Sequence, residues 1–189
     1  MMRIAFTGSH STGKTTLLND IIKYCGGDIK INSITEVARK IIVKGYPLNQ
    51  DANIDSYIHY INDQLNEENT YMYECDLFIS DRTLLDPVAY AMVNSQLPRP
   101  YIPEYFIEMM TNVWLIEQTR YDLYVYFPIE FPLEIDGIRP SDEQYRKDID
   151  EQIRKLLTKH KINYITVSGD EMQRKDYLIK VIEEYLGKN

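Results

Sequence analysis

The sequence predicts an α/β fold, a three-layer sandwich in which a five-stranded parallel sheet carries helices on both faces. Two observations predict it. Short apolar runs alternate with longer stretches of near-3.6-residue apolar periodicity along the 189 residues, the pattern of parallel strands joined by crossover helices. A glycine-bounded turn, Gly8-Ser9-His10-Ser11-Thr12-Gly13-Lys14-Thr15, then links the first apolar run to the first helical stretch.

The first strand covers about Arg3 to Thr7, and the helix after the turn is marked by Leu17, Leu18, Ile21 and Ile22. A second strand at about Ile29 to Ile34 leads into a helix with apolar positions Val37, Ile41 and Ile42. Gly45-Tyr46-Pro47 announces a loop, after which Ile54, Tyr57, Ile58, Ile61 and Leu65 mark a third helix. The third strand, about Leu77 to Ser80, is followed by helices over Ala89 to Ser95 and Pro103 to Thr119, with Pro98-Arg99-Pro100 between them. A fourth strand at about Leu123 to Phe127 gives way to the longest irregular polar stretch, Pro128 to Pro140. A helix from about Asp142 to His160, a strand from Tyr164 to Val167 and a helix from Asp170 to Leu186 complete the chain. Residues 1–189 are expected to form a single domain in which the mostly helical 45–120 region walls an acceptor pocket and 128–141 acts as a lid.

The apolar share of 44% and charged share of 26% are those of a globular protein, and no apolar stretch approaches the ~18–20 residues of a membrane helix. Met1-Met2-Arg3 runs straight into a strand-like segment without a signal-peptide apolar region, so a cytoplasmic location is expected. Cys25 and Cys75 form no C-x-x-C pair and are expected to be reduced structural thiols. The net charge of -8 disfavours a general nucleic-acid binder, although a local basic groove remains compatible with it.

Residues 8–15 fit G-x-x-x-x-G-K-[ST] in the strand-turn-helix context that this pattern requires. Chance produces the pattern in roughly one per cent of chains this long or fewer. Gly8 and Gly13 let the backbone turn its N–H groups inward, and Ser9, His10, Ser11, Thr12 and Thr16 complete a phosphate-binding cradle at a helix N-terminus. Lys14 is expected to reach the β and γ phosphates of ATP, and Thr15 to ligate Mg2+.

The third strand ends in Ser80-Asp81-Arg82, where the carboxyl ends of parallel strands open onto a ligand crevice. Asp81 is placed to hold Mg2+, directly or through water, and Arg82 to neutralise phosphate or contact the acceptor. The plain alternative is a helix cap and a surface ion pair. Asp86-Pro87 reads as the start of the following helix, with Asp86 as its cap. Glu36 and Arg39, three apart, share a helix face near the same crevice; Glu36 is a candidate proton acceptor and Arg39 a second acceptor anchor, against the alternative of an exposed intrahelical ion pair. Arg139, in Asp136-Gly137-Ile138-Arg139, is expected to close on the transferring phosphate, unless the segment is an ordinary Asp-Gly turn. Asp170 caps the last helix, and most of the sixteen tyrosines, Tyr57, Tyr60, Tyr71 and Tyr73 among them, are expected to be packing residues rather than stacking partners.

These segments together, FTGSHSTGKTTL, TEVARKI, FISDRTLLDPVAY, DGIR and NYITVSGD, resemble the small P-loop kinases of the AAA_28 group and its ribosylnicotinamide kinase-like members. FISDRTLLDPVAY is also similar to the Asp-Arg motif of thymidylate kinases, with Thr83 where that motif carries an aromatic residue. The resemblance implies a P-loop NTPase sheet ordered 2-3-1-4-5, ATP with Mg2+ as donor and a nucleoside, nucleotide or ribosylnicotinamide-like acceptor. It also implies that Arg82 contacts the acceptor phosphate and Asp81 lies at the catalytic centre. A kinase of modified bases in DNA and a nucleotide-hydrolysing switch are the alternatives.

Overall fold

The computed structural model describes residues 1–27, 29–133 and 142–187. Among them, β1 (Met2–Thr7), β2 (Ile31–Ile34), β3 (Leu77–Asp81), β4 (Leu123–Tyr126) and β5 (Tyr164–Thr166) form one sheet in the order β2-β3-β1-β4-β5. Every pairing is parallel, and Phe6 of β1 stands level with Asp81 of β3 on one side and Val125 of β4 on the other. The order is the one implied by the resemblance. The helices are α1 (Lys14–Cys25), α2 (Val37–Val43), α3 (Ile54–Tyr71), α4 (Leu85–Asn94), α5 (Glu104–Glu117), α6 (Glu143–Lys159) and α7 (Glu171–Leu186).

Period-two alternation sends the strand side chains into two separate cores. Ile4 and Phe6 of β1, Leu77 and Ile79 of β3, and Leu123 and Val125 of β4 join Leu17, Leu18 and Ile21 of α1 and Leu178 and Ile182 of α7. Ala5, Tyr124 and Tyr126 point the opposite way, into a core built by α3 to α6 around Tyr57, Leu85, Trp114 and Ile153. Burial on both faces is why these strands read as unbroken apolar runs in the sequence.

Local signals set the helix starts. Asn53 and Ser56 form a reciprocal capping box on α3, Asp142 accepts from the Gln144 and Tyr145 N–H groups, and Asp170 caps α7 as expected by accepting from Gln173 N–H at 2.9 Å. Asp86 departs from expectation: α4 begins at Leu85, whose N–H is taken by Thr83 Oγ1 at 3.2 Å, so Asp86 sits inside the first turn rather than capping it. Pro87 fits there without loss, because the first four N–H groups of a helix have no intrahelical acceptor. All strands run the same way, so the loops after β1, β2, β3 and β4 gather at one edge of the sheet and frame a cleft.

Candidate active site

The loop between β1 and α1 turns through three left-handed residues, Gly8 (φ 147°), Ser11 (φ 57°) and Gly13 (φ 83°). At Gly8 the backbone lies so close to the end of β4 that a Cβ would stand 2.6 Å from the Phe127 carbonyl oxygen. Only glycine meets both constraints. Lys14 is buried and folds back over the loop, its Nζ donating to Gly8 O at 2.9 Å, Ser9 O at 2.5 Å and Thr12 Oγ1 at 3.0 Å.

Thr15, in the first turn of α1, donates its hydroxyl to Asp81 Oδ2 at 2.5 Å, which ties the loop to the end of β3. The other oxygen, Asp81 Oδ1, is buried and has no hydrogen-bond partner among the described residues. A desolvated carboxylate oxygen beside a hydroxyl, at the mouth of a phosphate cradle, fits a magnesium ion, which takes one or two protein oxygens and completes its shell with phosphate and water. The described residues hold no cluster of three or more His, Cys, Asp or Glu suited to a metal, and this arrangement needs none.

Arg82 adopts φ 89°, rare for a residue with a side chain. Its carbonyl is held there by two donors, Ser80 Oγ at 2.5 Å and Gln64 Nε2 at 3.2 Å. The left-handed turn directs the guanidinium back toward the cleft, where it pairs with Asp86 Oδ1 at 2.8 Å, reaches Gly8 O at 3.3 Å and lies 5.8 Å from the centre of the Tyr90 ring. Asp86 also accepts from Thr7 Oγ1 and Thr83 N–H, both at 3.2 Å. Burial pushes the Asp86 carboxyl above its ordinary range, against the opposing pull of Arg82 and Lys14.

Glu36 is the left-handed residue that starts α2 (φ 63°) and receives Arg39 Nη1 at 2.6 Å. About half of each side chain is exposed, so the ion pair weighed as the plain alternative is present, with Glu36 just ahead of the helix rather than on its face, and both residues line the cleft.

One cavity of about 390 Å3 connects these groups. It is lined by loop residues 10–16, by Asp81, Arg82 and Asp86, and by Tyr57, Tyr60, Tyr90, Leu48 and Ala52, and the Tyr90 hydroxyl meets the loop at His10 Nδ1, 3.3 Å away. Gly8 and Ser9 do not line it; Ser9 is buried, and Gly8 packs against the end of β4. Arg139 lies outside the described residues, as does most of the expected lid. Tyr57 is held by a buried chain in which Asn94 Nδ2 donates to the Tyr57 hydroxyl at 2.9 Å and to Asn49 O at 2.6 Å, while the Tyr145 hydroxyl donates to Asn94 Oδ1 at 2.8 Å. The Tyr60 hydroxyl, in contrast, is buried with no hydrogen-bond partner among the described residues. Tyr71 and Tyr73 are exposed and away from the cavity.

Sequence reasoning missed two arginines. Arg146 of α6 and Arg174 of α7 are 1% and 2% exposed and grip the outer side of the glycine loop. Arg146 donates to His10 O at 3.1 Å, Ser11 O at 2.9 Å and Phe131 O at 3.0 Å; Arg174 donates to Thr12 O at 2.7 Å and pairs with Glu130 at 2.7 Å, its guanidinium 4.5 Å from the Phe131 ring centre. A signal existed: each stands on the apolar stripe of an amphipathic helix, Arg146 three residues before Ile149 and Arg174 four before Leu178, where a charge is out of place.

The sheet order, the glycine loop between β1 and α1 and the acid at the end of β3 define the P-loop nucleotide-binding class. Residues 3–174 match the AAA_28 family, described as an AAA domain, and the chain belongs to that family. Comparison with curated proteins finds no match. Among solved structures, NadR protein in complex with NAD and AMP-PNP is 19% identical with a TM-score of 0.76, covering 98% of this chain but 49% of that one. This chain thus spans about half the length of the NadR structures it matches. Deoxyadenosine kinase from M. mycoides with dCMP and dCDP bound is 15% identical with a TM-score of 0.70, covering 97% of this chain and all of that one (100%). Thymidylate kinase from Candida albicans is 13% identical with a TM-score of 0.60, covering 100% and 93%. At these identities the likeness is one of fold.

Proposed function

We propose that the protein is an ATP-dependent phosphotransferase whose acceptor is a small molecule of the nucleoside, nucleotide or ribosylnicotinamide kind. The observation that carries this reading is a cavity whose lining combines the glycine loop with Asp81, Arg82 and the rings of Tyr57, Tyr60 and Tyr90. Its volume suits a small organic ligand. Phosphoryl transfer requires donor and acceptor in one space with the reacting atoms in near contact. A protein that only hydrolyses nucleotide has no need of tyrosines beside its phosphate loop. The kinase names of two fold neighbours, deoxyadenosine kinase and thymidylate kinase, support the same acceptor class.

In this reading the loop amides and Lys14 bind the donor phosphates, Lys14 exchanging its contacts with Gly8, Ser9 and Thr12 for phosphate oxygens. Thr15 and Asp81 would hold Mg2+, which when bound neutralises charge on the donor phosphates. Arg82, oriented by Asp86, anchors the acceptor with a permanently charged guanidinium, and Arg39 lies within the same cavity. Glu36 lines the same cavity as a half-exposed carboxylate that would take a proton from an attacking hydroxyl on giving up its contact with Arg39, whereas Asp81 is engaged by Thr15. Arg139 remains a candidate for the transferring phosphate on sequence grounds alone. Residues 45–120 supply the acceptor wall within a single catalytic domain.

The test is ADP formation from ATP and Mg2+ with a panel of nucleosides, nucleoside monophosphates, ribosylnicotinamide and duplex DNA. ADP produced only when one small molecule is present supports the proposal. Slow phosphate release unchanged by every panel member would identify a hydrolysing switch instead, and activity confined to DNA would redirect the reading to a base kinase.

A further inference from the structure

Arg146 and Arg174 do not line the cavity, and the proposed transfer makes no use of them, yet both are almost wholly buried and converge on one stretch of loop. Their acceptors are three consecutive carbonyls, His10 O, Ser11 O and Thr12 O. In a trans peptide the carbonyl of one residue and the N–H of the next lie in one plane and point in opposite directions. Pulling these three carbonyls outward therefore turns the N–H groups of Ser11, Thr12 and Gly13 toward the cleft.

The charge balance adds to this. Arg174 has Glu130 at 2.7 Å, and among the described residues Arg146 pairs with Glu143 at 3.4 Å, a carboxylate nearly half exposed. A buried guanidinium whose counter-charge is itself largely solvated is only partly compensated and favours an anion on the far side of the loop it supports.

We propose that Arg146 and Arg174 are positioning residues for the donor phosphates. They hold the loop amides pointed inward from behind and place two buried positive charges beneath the polyphosphate without touching it. The inference rests on the donor half of the proposed function and is independent of the acceptor.

The experiment is calorimetric titration of the full chain with ATP and, separately, with inorganic tripolyphosphate, no acceptor being present. Arg146→Met keeps most of the side-chain volume while removing charge and fork; it is expected to fold, with an unliganded melting temperature below that of the wild type because three carbonyls lose their donor, and to bind both ligands at least roughly tenfold more weakly. Arg146→Lys and Arg174→Lys keep the charge but lose the planar fork, so an intermediate weakening, roughly threefold, is expected for both ligands. A folded Arg146→Met that binds tripolyphosphate within twofold of wild type overturns the proposal. If that variant does not fold, unchanged affinity in both lysine variants overturns it. Wild-type protein that binds neither ligand overturns the donor reading together with this inference, whereas tight binding with no acceptor phosphorylated overturns the transfer reading alone.

Discussion

Lys14 and Tyr60 both line the cavity and make opposite predictions about stability and function. Lys14 is satisfied by three loop acceptors, so its role toward phosphate requires those contacts to be exchanged. Lys14→Ala is expected to reduce turnover by about 10²- to 10³-fold, the typical cost of deleting one electrostatic donor from an active site, while circular dichroism stays native. Full activity in that variant would exclude the loop assignment. Tyr60 carries a buried hydroxyl with no partner among the described residues, which costs about 1–3 kcal/mol in the unliganded protein. Tyr60→Phe should therefore melt at or above the wild-type temperature and yet show a raised acceptor KM, because the ligand loses a hydrogen bond. A clear loss of stability in Tyr60→Phe would mean that the hydroxyl is already satisfied. The loop motif was legible because its chemistry is contiguous in sequence. Tyr60 was not, since nothing in a helical tyrosine pattern tells which hydroxyl the tertiary fold leaves without a partner.

The third helix and third strand are joined by polar groups that helical periodicity alone cannot assign. Gln64 donates to Glu68, to Ser80 Oγ and to the Arg82 carbonyl, while Tyr121 donates to Glu68 and Arg120 lies 3.5 Å from it. This network holds the left-handed Arg82 backbone, so α3 helps set the direction of the residue that directly follows β3. Burial raises the Glu68 carboxyl above its ordinary 4.5, against the opposing effects of Gln64, Tyr121 and Arg120. A raised acid pKa means that the folded state binds the proton more readily than the unfolded state. The contribution is thus fully present below about pH 4.5 and is lost as pH rises through the raised folded value. Glu68→Gln is expected to lose less stability than wild type between pH 4.5 and neutrality, measured as urea midpoints at several pH values. Parallel pH profiles for the two proteins would show that Glu68 ionises in the fold as it does in the unfolded chain. Strand positions, by comparison, were readable to within two residues, the central β1, β3 and β4 most directly because they are buried on both sheet faces.

A protein with one cavity serving two substrates should be stabilised by each of them. A ligand at 100 times its Kd adds about 2.7 kcal/mol, which for a chain of this size raises Tm by roughly 5–10 °C. ATP with Mg2+ is expected to give such a shift alone, and the true acceptor a further one; the absence of any shift with saturating ATP would contradict donor binding. The sequence by itself determined the parallel α/β sheet, the glycine loop and the acid-base pair closing the third strand. Each of these rests on short-range periodicity, or on residue types that one local backbone shape demands. Only the tertiary structure decided which side chains surround that loop. Arg146 and Arg174 are more than 130 residues from the carbonyls they hold, and Asp86 turns from a helix cap into the partner of Arg82 because Thr83 starts α4 early. Such contacts depend on where the crossover helices dock against the sheet, which no local pattern specifies.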